Sequence, residues 1–117
     1  MTPLVLAATV FAGALGATLR WLITRALPHT PWWSLGVVNT VGSAIVGIIA
    51  ALPESFWTYP LMVGLAGGLT TFSTLAIMMV PQRASIRVGP LLAALALHLA
   101  LGIASCAGAF LVTTALV

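Results

Sequence analysis

One stretch of the sequence concentrates the residue types that could bind an ion. From Gly64 to Thr74 the chain carries three glycines and four hydroxyl side chains within an otherwise apolar run. The pair Gly67-Gly68 predicts that a helix opens here, and irregular backbone at membrane depth is tolerated only where it lines a cavity or is buried in protein. Opened backbone offers carbonyl oxygens to a cation, whereas hydroxyl and amide protons can replace the water shell of an anion.

The same stretch has an interpretation that needs no ligand. Serine and threonine hydroxyls bond back to carbonyls of the preceding helical turn, and a glycine pair can act as a hinge. That interpretation is favoured for any single hydroxyl group. The clustering of several hydroxyls beside two glycines favours a binding site.

Three further polar side chains lie within apolar runs. Asn39 carries a neutral N–H₂ donor suited to a small anion, and a clamp between helices is an equally balanced alternative. His98 is expected to be a packed, hydrogen-bonded neutral group rather than a ligand. Cys106, the single cysteine, excludes an intrachain disulfide and is expected to pack as a small hydrophobe.

Composition makes the bilayer the solvent of this chain. Of its 117 residues, 62% are hydrophobic and 4% are charged, whereas a soluble domain is typically about 25% charged. The sequence pI near 10.7 reflects four arginines against one glutamate without a basic cluster, so it does not indicate nucleic-acid binding. The sequence shows no nucleophile–base pair, which predicts that the chain is not an enzyme. Its first residues lack the positive region of a cleavable signal peptide, so the first helix is expected to remain.

Proline, arginine and glutamate residues divide the apolar sequence into four runs, each long enough to cross a bilayer as a helix of about 20 residues. We therefore predict an all-α membrane protein, a single transmembrane domain of residues 1–117, with a break in its third helix. Small residues spaced four apart predict close helix packing. Four short helices enclose too little volume for a pore, so a dimer is expected. The predicted spans are residues 4–27, 32–52, 57–80 and 88–116.

Three segments resemble the helix motifs of the Fluc/CrcB family of fluoride channels. They occur in the family's order, and the likeness covers nearly the whole chain: Gly13-Ala14-Leu15-Gly16-Ala17-Thr18-Leu19-Arg20-Trp21, Asn39-Thr40-Val41-Gly42-Ser43 and Gly67-Gly68-Leu69-Thr70-Thr71-Phe72-Ser73-Thr74.

The resemblance implies an antiparallel dimer in the bilayer that encloses two fluoride pathways. It implies a structural sodium ion at the centre, held by the backbone carbonyls of Gly67 and Thr70. Arg20 matches the family's vestibule arginine. The residues that the resemblance assigns to the fluoride pathway are Asn39, Thr71, Phe72, Ser73 and Thr74.

The chain departs from the family pattern just after this motif. Where the family usually continues with phenylalanine, serine and, two positions later, glutamate, this chain has Leu75, Ala76 and Met78. The departure predicts at most one fully equipped pathway per dimer.

The arginines are distributed unevenly between the two sides of the predicted bundle. All four lie at the side of the first and third loops, and the other side holds Glu54 alone, which predicts a fixed orientation by the positive-inside rule. Copies that insert the same way cannot form an antiparallel dimer, so the expected partner is a paralogous chain of opposite orientation. The four are Arg20, Arg25, Arg83 and Arg87.

Passive export of cytosolic fluoride is the predicted function, and two alternatives stay open. A small multidrug transporter would need a membrane-embedded carboxylate, and Glu54, the one acidic residue, stands at the end of a span. A non-conducting structural subunit that completes a partner's pore is favoured by Leu75, Ala76 and Met78. The retained Asn39 and Phe72 weigh against that alternative.

Overall fold

The computed structural model describes residues 2–27, 31–80 and 88–117. Within them, four helical spans are long and apolar enough to cross a membrane, which confirms the predicted all-α class. The loop residues 28–30 and 81–87, with Arg83 and Arg87, lie outside the described residues. The spans are Pro3–Ala26, Trp32–Ala51, Pro60–Met78 and Val88–Leu116.

Three of the spans are continuous α-helices. Helix α1 (Pro3–Ala26) begins where the Thr2 hydroxyl accepts a hydrogen bond from the Val5 amide at 3.3 Å. Proline in its first turn costs no hydrogen bond, because the first amides of a helix have no partner within it. Helix α2 (Pro31–Ala51) packs along helix α5 (Val88–Leu116), the longest element.

The third span is broken, as predicted, but the break lies three residues beyond the predicted glycine pair. A π-helical segment (Pro60–Ala66) continues into the short helix α3 (Gly67–Leu69), and helix α4 (Ser73–Met79) resumes after residues 70–72. Thr70 is extended, with φ −79° and ψ 157°, whereas Gly67 is helical, with φ −64° and ψ −38°. The prediction that the helix opens at Gly67-Gly68 is therefore wrong.

Close packing explains why the glycine pair stays helical. Gly68 lies so near helix α1 that a Cβ atom there would collide with the Gly13 carbonyl oxygen. A Cβ at Gly16 would likewise collide with the Leu65 carbonyl. Gly68 and Gly16 thus let two helices approach closely, and no glycine in the described residues adopts a positive φ.

A small buried cluster surrounds the break. Leu35 and Val38 of helix α2 pack against Leu69 before the break and Leu75 after it. Leu75 is only 3% exposed, so the leucine that departs from the family pattern fills the interior of the bundle. Most other large apolar side chains are exposed, which suits a protein that faces lipid tails or a second subunit.

Candidate ion pathway

Asn39 and the backbone of Thr71 form a two-point contact across the break. Asn39 Nδ2 donates to the Thr71 carbonyl at 3.2 Å, and the Thr71 amide donates to Asn39 Oδ1 at 2.8 Å. A backbone amide can only donate, so the atom facing it must be the side-chain oxygen, which fixes the orientation of the amide. Asn39 therefore clamps helix α2 to the break, and its N–H₂ group keeps one further proton for another acceptor.

The clamp also accounts for the position of the break. In a continuous α-helix the Thr71 amide would donate to the Gly67 carbonyl, four residues earlier. Here that amide donates to Asn39, while the Thr70 amide still donates to Ala66 at 3.0 Å. Helical bonding therefore stops between Thr70 and Thr71, where a side chain from another helix supplies the alternative partner.

Arg20 holds the adjacent peptide group. Its Nη1 donates to the Thr70 carbonyl at 2.9 Å from a half-buried position on helix α1. A hydrogen bond from a charged donor is about twice as strong as a neutral one. Two consecutive carbonyls of the break, those of Thr70 and Thr71, are thus bound by side chains from helices α1 and α2.

The predicted hydroxyl cluster forms, and it bonds forward along the chain. Thr71 Oγ1 lies 3.2 Å from both Ser73 Oγ and Thr74 Oγ1, and it accepts a hydrogen bond from the Thr74 amide at 3.3 Å. The first amides of helix α4 have no partner within the helix, and the Thr71 hydroxyl accepts a hydrogen bond from one of them, that of Thr74. Bonding back to the preceding turn, the alternative considered above, is not what these hydroxyls do.

Two cavities meet at Thr71. The first, which we call the vestibule, has a volume of about 430 Å³, and Arg20 is the one charged residue of its described lining. The second, which we call the groove, has a volume of about 410 Å³ and a neutral lining. The vestibule is lined by Ala17, Arg20, Trp21, Thr24, Leu27, Ser34, Leu35, Thr71 and Thr74, and the groove by Asn39, Ser43, Thr70, Thr71, Phe72, Leu75, His98, Leu99, Gly102, Ile103 and Cys106.

Most residues that the sequence singled out are brought together here. Asn39, Thr71 and Phe72 line the groove, and Phe72 is 71% exposed. Arg20 and Thr74 line the vestibule. Ser73 lines neither cavity and contacts the pathway through the Thr71 hydroxyl.

Sequence reasoning missed part of the groove wall. The sequence predictions did not assign Ser43, Gly102, Cys106 or His98 to the pathway, yet all four line the groove. A helical spacing of four residues could have found them. Ser43 lies one turn beyond Asn39, and the other three follow one another at intervals of four on helix α5.

The backbone at the break partly fits the expected sodium ion. The Gly67 carbonyl loses the amide of Thr71 as its helical partner, and open space surrounds Gly67 on the side where a Cβ would stand. The Thr70 carbonyl already accepts from Arg20, which leaves one lone pair of that oxygen. Carbonyl oxygens suit a hard cation, and two of them are too few for a coordination shell. Oxygens from a second subunit would have to complete it.

Four apolar spans surround a groove whose described lining is neutral and a vestibule that contains one arginine, an arrangement suited to an ion pathway through a membrane protein. The family described as CrcB-like protein, Camphor Resistance (CrcB), matches residues 7–110. The chain belongs to this family, as the sequence motifs indicated.

Relatives with assigned names agree with this placement. A fluoride-specific ion channel FluC of Burkholderia thailandensis is 37% identical over 102 residues, which cover 77% of this chain and 78% of the relative. FluC 2 of Nocardia farcinica is 40% identical over 84 residues, and FluC of Nitrobacter winogradskyi is 37% identical over 81 residues. The chain spans 59% and 64% of the length of these two relatives.

Two sequence predictions are confirmed by this placement. The chain is a multi-pass protein of the bacterial cell membrane, because it has four membrane-spanning helices and belongs to a family of membrane channels. It is not an enzyme, because the family consists of ion channels.

Proposed function

We propose that this chain is a subunit of a fluoride-selective channel through which cytosolic fluoride leaves the cell passively. The observation that carries the proposal is the Asn39–Thr71 pair, which stands where the vestibule and the groove meet. The names of the relatives supply the identity of the ion. The geometry and the charges support an anion of small size.

The sign of the charges favours an anion over a cation. Among the residues that the structure describes, Arg20 is the one arginine, lysine or carboxylate in the lining of either cavity, and Glu54, the only acidic residue of the sequence, is exposed between helix α2 and the third span. A fixed positive charge at the mouth of a low-dielectric passage raises the local concentration of anions. Arg20 therefore attracts the ion into the vestibule.

Neutral donors then replace the water shell of the ion. The free N–H of Asn39, and the one proton that the mutually bonded hydroxyls of Thr71, Ser73 and Thr74 keep, can be donated without adding a full charge. A passage conducts only if its binding is strong enough for entry and weak enough for release, and neutral donors satisfy both conditions. The exposed ring of Phe72 adds an electropositive edge to the groove.

A second subunit has to close the groove. The groove is open on the side of Phe72 and Ile103, which are 71% and 70% exposed, and helix α5 has no buried residue. We propose an antiparallel partner from a paralogous chain, because the arginines of this chain favour a single orientation. A sodium ion shared between the Gly67 and Thr70 carbonyls of the subunits would fasten the two broken helices together.

One alternative keeps the fold without conduction. Leu75 lines the groove with an apolar surface and is 3% exposed, so this position contributes no donor to a passing ion. A subunit that only completes its partner's pathway would tolerate such a residue. This alternative predicts that Asn39 can be replaced in this chain without any effect on flux.

Fluoride efflux from liposomes tests the proposal. The channel, purified through a tag on this chain together with any copurifying subunit, is reconstituted into liposomes loaded with potassium fluoride, and valinomycin carries the counter-ion. We expect fluoride to leave, as measured by a fluoride electrode, and chloride to stay. Equal rates for the two anions contradict the proposal. Sodium binding is tested separately, by comparing dimer retention in detergent with sodium and with N-methylglucamine.

A further inference from the structure

His98 of helix α5 holds two backbone carbonyls with its two ring nitrogens. Nδ1 lies 2.8 Å from the Ala94 carbonyl oxygen in the same helix, and Nε2 lies 3.2 Å from the Trp32 carbonyl oxygen of helix α2. The ring is half-buried and lines the groove. It therefore connects the two helices at the wall of the proposed pathway.

Both partners of the ring are acceptors, and this decides which form of the imidazole they suit. A carbonyl oxygen cannot donate, and a neutral imidazole has one N–H, so the neutral ring would turn a lone pair toward one of the two oxygens. The imidazolium has two N–H groups and satisfies both. The Trp32 ring, with its centroid 5.7 Å from that of His98 and tilted by 56°, is a further favourable neighbour for a cationic ring.

The described elements around His98 hold no acidic side chain that could neutralise a positive charge on its ring. Helix α2 has no ionisable side chain from Trp32 to Ala51, and the break and helix α4 have none from Thr70 to Met79. On helix α5 the other titratable group is Cys106, two turns further along the groove. Across the break, the guanidinium of Arg20 is bound to the Thr70 carbonyl. No carboxylate faces the ring from these elements.

We propose that His98 is a proton-controlled anion site of the groove, which rests on the function proposed above. Protonation completes both hydrogen bonds, joins helix α2 to helix α5, and places a positive charge in an otherwise neutral wall. Fluoride then meets a second attractive charge after Arg20. The sequence predicts that His98 is a packed, hydrogen-bonded neutral group, and this proposal adds that acid protonates it between its two acceptor partners.

Acid should therefore raise the conductance of the channel. Charge-lined clefts raise the rate at which counter-ions enter by factors of 10 or more, and we expect a roughly tenfold rise in fluoride efflux once acid protonates His98. Acid is also the condition under which fluoride crosses bilayers as neutral HF. A channel with this residue would conduct fastest when fluoride loading is greatest.

The test compares three forms of the channel in liposomes held at the same pH inside and out. They are the wild type, His98→Gln, and His29→Gln as the matched control, since His29 is the other histidine of the sequence. Efflux from protein-free liposomes is subtracted at each pH to remove HF leakage. We expect the wild type and His29→Gln to accelerate in acid and His98→Gln to remain at the slow rate. The same acceleration in all three forms overturns the assignment of His98.

A spectroscopic measurement keeps this proposal separate from the one on which it rests. In the His29→Gln chain, labelled with ¹⁵N-histidine in this subunit alone, His98 gives the only imidazole signals. We expect ¹⁵N shifts of two protonated ring nitrogens in acid, each coupled to a hydrogen-bonded proton. One protonated nitrogen throughout, down to about pH 5, overturns the proposal even if His98→Gln fails to fold. Absence of fluoride efflux from every form at every pH contradicts the channel function instead.

Discussion

Asn39 and Thr71 bind each other through both the amide nitrogen and the amide oxygen of the asparagine, at 3.2 and 2.8 Å, although 32 residues separate them in the sequence. The pair gives one side chain two tasks. It supplies a partner to both the amide and the carbonyl of Thr71 at the break, and it leaves one N–H directed toward no described partner. The first two predictions concern this pair and the arginine beside it.

Asn39→Asp should abolish most fluoride efflux. A carboxylate cannot donate to the Thr71 carbonyl, and a negative charge about 4 Å from an anion costs roughly 4 kcal/mol at an effective dielectric constant of about 20. We expect at least a roughly tenfold loss in liposome efflux. Ser105→Ala is the matched control, because it removes a different hydrogen bond to helix α2, from the Ser105 hydroxyl of helix α5 to the Thr40 carbonyl at 2.9 Å, and Ser105 does not line the groove. Undiminished efflux from an assembled Asn39→Asp channel would show that Asn39 donates to no passing ion, as expected of a clamp alone or of a subunit that only completes its partner's pathway.

Arg20→Gln should slow efflux and make it less sensitive to salt. Loss of the positive charge lowers the anion concentration in the vestibule, and that attraction is screened within a Debye length of about 8 Å at physiological ionic strength. Initial rates measured at low and high salt provide the readout. Arg25→Gln is the control, since Arg25 is exposed and stands 5.4 Å from the Trp21 ring without lining the vestibule. Equal losses in the two variants would remove Arg20 from the pathway.

The neighbours Gly67 and Gly68 should respond differently to alanine. A Cβ at Gly68 meets the backbone of Gly13, and overpacking of this kind costs roughly 1–3 kcal/mol. A Cβ at Gly67 meets nothing within 4 Å. We therefore expect Gly68→Ala to lower the temperature of thermal aggregation in detergent and Gly67→Ala to leave it unchanged. A matching drop in both variants would contradict the close approach of helix α1 and the third span.

The orientation of the chain should be fixed. With Cys106 replaced by alanine, single cysteines are placed at Ser55, between helix α2 and the third span, and at Gln82, which lies outside the described residues. The positive-inside rule predicts that an impermeant thiol reagent added outside labels position 55 and not position 82. Labelling of both positions in separate samples, together with efflux from the chain expressed alone, would establish a homodimer that inserts in both orientations.

The fold could be predicted from the sequence because hydropathy determines it. Four apolar runs separated by proline and charged residues leave a chain in lipid few ways to satisfy its backbone other than as four helices. The exact position of the break could not be predicted by the same means. The conformational freedom of glycine indicated a break at Gly67-Gly68, but Gly68 instead lets helix α1 approach closely. The break lies at Thr71 because the Thr71 amide donates to Asn39, a contact between two helices that the sequence does not show.

The residues of the candidate site that belong to sequence motifs could be predicted, whereas the contacts that depend on how the helices pack could not. Asn39, Thr71 and Arg20 stand out in the sequence as polar residues in apolar runs. The hydrogen bond from Arg20 to the Thr70 carbonyl could not be predicted, because 50 residues separate the two in the chain. The two acceptors of His98 are likewise invisible in sequence, since one of them is the backbone of a tryptophan 66 residues away.

The two side chains that hold the broken peptides, Arg20 and Asn39, both precede the break in the chain. A ribosome synthesises a protein from its amino terminus, so helices α1 and α2 are made before residues 70–72. The side chains that bind the unwound peptides in the folded bundle are therefore synthesised before the peptides themselves. In a circular permutant that began at the third span, the peptide groups of the break would be synthesised before Arg20 and Asn39. We expect such a permutant to insert into the membrane with lower yield, and its stability once folded to be unchanged.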